Sequence, residues 1–469
     1  MEYRIEEDSL GLMEIPVDAL YGIHSVRAQR NFPLGDQRVN PELMQAMIII
    51  KKAAAMVNTE LGLVPTNIGK GIIAGCDHLL QEDYTQACII HPLQGGAGTS
   101  INMNVNEIIA NRAISYLGGK RGDYQVVHPL NHVNCSQSTN DVFPTAIRIA
   151  SIHKIRRLAK ALSQLQDSLQ LKENQFADIL KLGRTQLNDA LPITLGQEFG
   201  AYARCISRDR WRIYKVEERL REINIGGTAV GTGLNAPLEY IYGITETLQR
   251  LTNLGLARSD LLVDTTQNMD VFVEASGLLK ACAVNLIKIS NDLRLMASGP
   301  RGGLGEIELE PRQSGSSIMP GKVNPVLCEM MVQIGFKVIG NDAAITSAAF
   351  SGQLDLNAFS PLIAECILES LDLLIHGIPA FDKFCIQTIT ANKEKCLHWV
   401  KNSFALSAAL IDYIGYDRSE QISLEALQKG KSIEEILLEN KVFTADELSK
   451  ILNVYQITKP GIPGRSLHK

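Results

Sequence analysis

The strongest constraint on the fold is the run from Ala146 to about Ala177, where apolar residues recur at helical spacing without a glycine or proline. A helix buries one stripe and leaves the rest in water, so one longer than the usual globular length needs long partners to lie against. Similar stretches run from Leu195 to about Glu222, Asp270 to about Ser298, Pro325 to about Ser347 and Pro361 to about Phe384. The spacing predicts an all-α protein whose middle is a bundle of long helices.

Outside that bundle the pattern changes. Residues 1 to about 40 are interrupted by Gly11, Pro16, Gly22, Pro33 and Gly35, which predicts loops and short elements. Glu42 to Leu61 reads as a helix with Pro41 at its first position and Gly62 past its end, and Asn67 to Leu80 as another. From about Thr390 the segments shorten to Asn392–Tyr413 and Ser432–Leu452 with a break at Gly415, and Pro460–Gly464 reads as a mobile tail. Three domains are expected: a mixed, mostly helical one over 1–138, the bundle over 139–391 and a small helical one over 392–469.

Composition excludes several classes of function. With 46 basic against 51 acidic side chains and no Lys/Arg-rich run, nothing favours a nucleic-acid partner. Nine scattered cysteines, odd in number and never spaced C-x-x-C, support neither a disulfide framework nor a zinc site, and point to a reducing compartment. Glu2, Arg4, Glu6, Glu7 and Asp8 stand where a secretory signal needs an apolar core, and no apolar run reaches membrane-spanning length. A cytoplasmic protein with no membrane partner is expected.

The chemistry is concentrated in polar loops. Gly315-Ser316-Ser317-Ile318-Met319-Pro320-Gly321-Lys322-Val323-Asn324-Pro325 suits neither a helix nor a strand interior. It is not a phosphate-cradling loop, because five residues separate Gly315 from Gly321 and Val323 follows Lys322 where a magnesium-binding hydroxyl is needed. Two readings remain. In one, loop amides, Ser316, Ser317, Lys322 and Asn324 converge on a carboxylate, with a serine activated as proton acceptor. In the other, Ser316 or Ser317 caps a helix in a simple connection and Lys322 is solvated.

Four further loops carry similar ambiguity. Gln94–Glu107 delivers Thr99 and Ser100 to a helix start, either as an anion site or as the cap. Ser138, Thr139 and Asn140 lie in a polar loop that is either a substrate clamp or a turn. Leu182–Pro192 puts Thr185 and Gln186 just before a long helix. Gly231–Ala236 spells G-x-G-x-x-A, but helical stretches flank it, so a dinucleotide site is rejected. His91 and His132 lack neighbours at ligand spacing and read as structural; Met319 reads as packing or contact, and Glu329 as an orienting group or a favourable charge in a first helical turn.

Taken together, Gly95-Gly96-Ala97-Gly98-Thr99-Ser100, Ser138-Thr139-Asn140-Asp141, Gly183-Arg184-Thr185-Gln186 and the Ser316 loop resemble, in content, order and spacing, the fumarase/aspartase superfamily, from Arg4 to the tail. The resemblance implies a three-domain, all-α fold whose central helices form a twenty-helix core in a homotetramer, with each active site built from three subunits. It implies Ser316 as the catalytic base, with Lys322 and loop amides holding an aci-carboxylate intermediate. Thr99, Asn140 and Asn324 would then hold the amino or α-carboxylate end, while Ser138, Thr139, Thr185 and Gln186 complete the carboxylate contacts. Ser317 and Met319 of the same loop are further candidate contacts. Gln186 stands where the hydratases of the superfamily, and some of its ammonia-releasing members, carry a histidine, and an amide cannot act as a base, so release of ammonia from L-aspartate to give fumarate is expected, with no cofactor and no metal site. The alternatives are a hydratase or another lyase of the superfamily and, last, a non-catalytic scaffold. Phe350 and Ser360 depart from the superfamily pattern, which usually has an acidic and a charged residue there.

Overall fold

The computed structural model describes residues 2–464. Helix makes up 61% of it and strands are few and short, as the all-α expectation requires. In chain order, a hairpin of β1 (Tyr3–Asp8) and β2 (Gly11–Pro16) precedes α1 (Ile23–Asn31), α2 (Pro41–Glu60), α3 (Thr66–Leu79) and α4 (Thr99–Tyr116). Helix α5 (Thr139–Gln175) is followed by β3 (Leu180–Thr185) and β4 (Asn188–Thr194), then α6 (Leu195–Leu220) and β5 (Glu222–Ile223). Next come α7 (Leu238–Thr252), β6 (Ala257–Arg258), α8 (Leu262–Gln267), α9 (Asp270–Met296), β7 (Ile307–Glu308), α10 (Val326–Phe350) and α11 (Ser360–Phe384). Strand β8 (Thr390–Ala391) opens the last region, with α12 (Lys393–Lys401), α13 (Ile411–Ile414), α14 (Tyr416–Lys429), α15 (Ile433–Glu439), α16 (Ala445–Ile451) and α17 (Val454–Ile457).

Two compact units emerge. The first comprises Met1–Ala159, Trp211–Ala281 and Phe336–Ile375, the second Lys160–Arg210, Cys282–Gly335 and His376–Lys469.

In the first unit α4 is buried nearly all round, although it carries Asn102, Asn104, Asn106, Glu107 and Asn111. Buried polar groups must find partners, and these hold the unit together. The Glu107 carboxylate accepts the N–H of Gly22 at 2.8 Å, His24 at 2.8 Å and Ser25 at 3.2 Å, closing the start of α1, whose Gly22 cap has no side chain to do so. Burial pushes its carboxyl up to about 7 against those bonds. Helix α2 begins as expected, with Pro41 in its first turn and the Asn40 side chain accepting from Glu42 N.

Helix α5 starts at Thr139, earlier than the periodicity indicated, and runs through Pro144. A proline at this position cannot donate to the carbonyl of Asn140. The vacant acceptor is taken instead by Asn224 Nδ2 at 2.9 Å, which also reaches Thr266 Oγ1 at 3.0 Å.

In the second unit the Leu182–Pro192 stretch is a β-hairpin rather than an open loop. Gly183 makes the register shift, and the two-residue turn at Gln186 and Leu187 has φ of +55° and +64°. The C-terminal segments are more broken than the periodicity suggested. Asn392–Tyr413 yields α12, a 3₁₀ turn and most of the short α13, Ser432–Leu452 yields two capped helices, and α14, which follows Gly415, was not anticipated. Leu410, Ile422, Ile433, Ile436, Leu437, Leu448 and Ile451 form a small core of their own.

Asn224→Ala is expected to lower stability by about 1–3 kcal/mol by stranding the Asn140 carbonyl. Adding Pro144→Ala should recover part of the loss by supplying the missing helical N–H. Denaturation of the single and double variants decides it: equal losses in both would refute the account.

Candidate active site

The candidate residues fall into two sets, one in each unit. In the first unit, α4 begins at Thr99 after Gly98, which adopts φ of +92° and provides no side-chain cap. Neither Thr99 nor Ser100 is therefore the cap. The exposed Thr99 hydroxyl donates to Gly96 O at 2.7 Å and stands in the first turn, where amides and the helix dipole favour an anion. Ser360, one of the two departures, is buried and donates to Ala97 O at 3.4 Å within the same glycine turn, whereas Phe350 is exposed.

Ser138, Thr139 and Asn140 form the entry to α5. The Ser138 hydroxyl accepts from Asn140 N at 3.2 Å, Thr139 Oγ1 accepts from Asn102 Nδ2 at 3.1 Å, and Asn140 Nδ2 donates to Ala229 O at 2.7 Å. Beneath them Asp141 is fully buried and accepts the N–H of Ser138 at 2.9 Å, Gly226 at 3.1 Å and Thr228 at 3.0 Å. Burial pushes its carboxyl up to about 7 despite these bonds. The sequence stretch containing Asp141 was noticed, but not its role as the joint between two loops.

That second loop contains the G-x-G-x-x-A string, and the structure adds a detail. The loop does lie between a strand and a helix, since β5 pairs in parallel with β6 across α7, but each strand has two residues. A Cβ on Gly231 would lie 2.4 Å from the Val263 backbone, so the close approach that requires glycine is to the chain itself. The dinucleotide reading stays rejected.

In the second unit, Thr185 and Gln186 are exposed at the hairpin tip. Its base is fixed by charge: Arg184 Nη1 lies 2.8 Å from Glu306 Oε1, and the buried Lys181 ammonium lies 2.8 Å from Glu198 and 3.3 Å from Glu306.

The Ser316 loop is a closed excursion. Gly315 N donates to Lys322 O at 3.0 Å and Asn324 Nδ2 donates to Gly315 O at 2.7 Å, so the neck is clipped by backbone and side chain together. Only glycine fits at residue 315, where a Cβ would meet Lys322 O at 2.3 Å. Within the loop the Ser316 hydroxyl accepts from Ile318 N at 3.2 Å and Met319 N at 3.0 Å. Ser317, Met319 and Lys322 are exposed, and Glu329 stands in the first turn of α10.

His132 Nδ1 accepts from His128 N at 2.9 Å, and burial followed by the charge of His128 lowers its pKa; His91 Nδ1 accepts from Leu93 N at 3.1 Å. Both histidines serve local turns. Among the described residues no group of three or more His, Cys, Asp or Glu side chains is arranged to hold a metal ion, and no helix is long and apolar enough to cross a membrane.

Lys51 was missed altogether. It is fully buried on α2, and among the described residues its ammonium makes no ion pair, its bond being to Asn134 Oδ1 at 2.7 Å. The signal was present, because Lys51 continues the buried stripe of Met44, Met47 and Ile48 at helical spacing.

These architectural features match a known class. The family described as "Lyase" matches residues 11–340, and that described as "Fumarase C C-terminus" matches 406–459. The chain belongs to this fumarase/aspartase family of lyases. Within it, the aspartate ammonia-lyase of Bacillus subtilis (strain 168) is 46% identical over 466 residues, covering 99% of this chain and 98% of the relative. Of solved structures, a fumarate lyase:delta crystallin from Brucella melitensis bound to cobalt superimposes with a TM-score of 0.95 at 44% identity, covering 98% of this chain and all of that one. A class II fumarase from Schistosoma mansoni gives a TM-score of 0.92 at 30% identity, covering 98% of this chain and all of that one.

Burial lowers the Lys51 pKa to about 7 from 10.5, with the Asp141 charge opposing. Between those values the unfolded chain binds more protons than the folded one, so this lysine makes stability rise with pH across that window. Thermal midpoints from pH 7 to 10 should therefore rise more steeply for the wild type than for Lys51→Met. Parallel profiles would refute the assignment.

Proposed function

We propose that the protein eliminates ammonia reversibly from L-aspartate to give fumarate. The observation that carries the reading is the Ser316 hydroxyl accepting two backbone N–H groups, from Ile318 and Met319. A serine is a useful base only when its alkoxide is stabilised, and two amides aimed at the oxygen favour that form. Ser316 Oγ takes a proton from the carbon beside the β-carboxylate, and the C–H electron pair moves into that carboxylate as an aci-carboxylate. Collapse of this intermediate forms the carbon–carbon double bond as the C–N bond breaks, and the nitrogen leaves with its bonding pair as ammonia. The aci-carboxylate carries charge the substrate lacks, so contacts from Lys322 and the loop amides would act on the transition states selectively.

The remaining residues bind. Thr99, Asn140 and Asn324 take the amino or α-carboxylate end, while Ser138, Thr139, Thr185, Gln186, Ser317 and Met319 complete the contacts. Asn324 retains one amide hydrogen and its carbonyl oxygen for this beyond its bond to Gly315. The reading includes three domains over 1–138, 139–391 and 392–469, and a homotetramer in which three subunits contribute to each site. A cytoplasmic location accords with nine cysteines, none of which forms a disulfide. Gln186 and the 46% identity to an aspartate ammonia-lyase favour ammonia over water as the leaving group.

The purified protein should produce the absorbance of fumarate from L-aspartate and not from L-malate. Production from malate alone would replace this reading with hydration chemistry. Ser316→Ala should lower turnover of aspartate by on the order of 10³-fold or more with the fold intact. Gly315→Ala should also reduce turnover, by about tenfold or more, because its methyl group must force open the neck that orients the Ser316 amides; unchanged turnover would mean the closed neck is irrelevant to catalysis.

A further inference from the structure

A buried ammonium without a carboxylate is costly, so its retention calls for an explanation. Lys154 and Lys181 are equally deep, but each lies against two carboxylates, Glu42 with Asp372 and Glu198 with Glu306. Lys51 lies against an amide instead. Asn134 Oδ1 accepts from Lys51 Nζ at 2.7 Å, Asn106 Nδ2 at 3.1 Å and Asn102 Nδ2 at 3.2 Å. The same Asn102 amide donates to Thr139 Oγ1 at 3.1 Å. Asn134 in turn donates through Nδ2 to Gln137 O at 3.1 Å, the carbonyl immediately before Ser138.

A second strap comes from the same helix face. Two turns along α2, Asn58 Nδ2 donates to Cys135 O at 2.9 Å and Asn58 Oδ1 accepts from Ser136 Oγ at 2.9 Å. The segment from Asn134 to Thr139 is thus fastened to α2 and α4 through side-chain amides, and the one fastener that is not an amide or hydroxyl is the Lys51 amine. Meanwhile, among the described residues, the Asn102 and Asn106 side-chain oxygens meet no hydrogen-bond partner, so both amides are oriented with their donors toward Asn134. A donor on Lys51 Nζ holding Asn134 Oδ1 toward α2 fixes where that oxygen lies, and thereby where Asn102 must point.

We propose that Lys51 is a positioning residue: through Asn134 and Asn102 it sets the Thr139 hydroxyl and the Ser138–Asn140 backbone in the arrangement that receives the substrate carboxylate. The proposal rests on the functional reading above for the identity of that ligand, but not for the ordering of the segment. The carboxylate meant is the α-carboxylate, at whose end Asn140 of this segment is placed and whose charge the elimination leaves unchanged. The contact is therefore made equally in the ground and transition states, and its loss appears in KM with kcat nearly unchanged.

The test has two arms. Hydrogen exchange of the unliganded protein should show amides of the 134–142 segment exchanging about tenfold or more faster in Lys51→Met than in wild type, with the 315–324 segment unchanged. Lys51→Gln, which keeps a donor for Asn134, should restore most of the protection. In steady-state assays, Lys51→Met should raise KM for L-aspartate about tenfold or more with kcat within about threefold, and Lys51→Gln should fall between. Wild-type exchange rates in the 134–142 segment of Lys51→Met would overturn the proposal, as would loosening of that segment without a change in KM. Loss confined to kcat would also overturn it. If wild type fails to turn over aspartate, the functional reading falls, while the exchange experiment still judges the positioning role. Should Lys51→Met fail to fold, Asn102→Ala, which breaks the link to Thr139 while leaving Lys51 and Asn134 paired, must reproduce the rise in KM; an unchanged KM there overturns the proposal.

Discussion

The carboxylate of Asp141 organises the first unit's share of the site. Buried in the first turn of α5, it accepts N–H groups from Ser138 on one side and from Gly226 and Thr228 on the other. One side chain thus fixes the start of the longest helix, the loop carrying three candidate contacts and the turn beginning at Gly226. Burying a charge is tolerated only where donors replace water, and Asp141 has three backbone donors converging on it. Replacing it would leave those amides orphaned in the interior, so the position tolerates little besides a carboxylate. Glu107 repeats the device at α1, where amides of Gly22, His24 and Ser25 converge on one buried carboxylate. At α1 a start with no side-chain cap is completed by an acid from elsewhere, whereas at α5 the acid lies in the helix's own first turn beside the Ser138 hydroxyl, which accepts from Asn140 N.

The long helices were legible because their signal is periodic and spread over many residues, so that single exceptions do not erase it. Pro144 is such an exception: it masked the first turn of α5, since nothing local reveals that Asn224, distant in sequence, replaces the lost donor. The hairpin from Leu180 to Thr194 was hidden for a related reason. Gly183 and Pro192 look like breakers, yet a two-stranded ribbon has only edges, where a bulge and a missing N–H are tolerated. Its turn uses Gln186 and Leu187 where Asn-Gly would have announced it.

The polar loops were legible as unusual, and their resemblance to one superfamily supplied what spacing alone could not decide. The fixtures beneath them were not legible. Lys51, Asn102 and Asn134 are ordinary residues in ordinary contexts, and their interest lies in who meets whom, which depends on the packing of α2 and α4. Arg184 and Lys181 likewise acquire meaning only when Glu306, far along the chain, arrives beneath the hairpin. Sequence locates the groups that could touch a ligand more readily than the groups that hold them still.

The clipped neck of the Ser316 loop has a consequence for how the loop's disorder is spent. Tying Gly315 to Lys322 and Asn324 closes the excursion on itself, so most of its conformational freedom is surrendered when the chain folds. What remains to be lost when a small molecule arrives is rigid displacement of a preformed ring and a few side-chain rotations. An open loop of the same length would have to be ordered by the ligand itself, and a small substrate has few atoms with which to do it. Closure at the neck shifts that entropic cost from binding to folding, where it is shared with the rest of the protein.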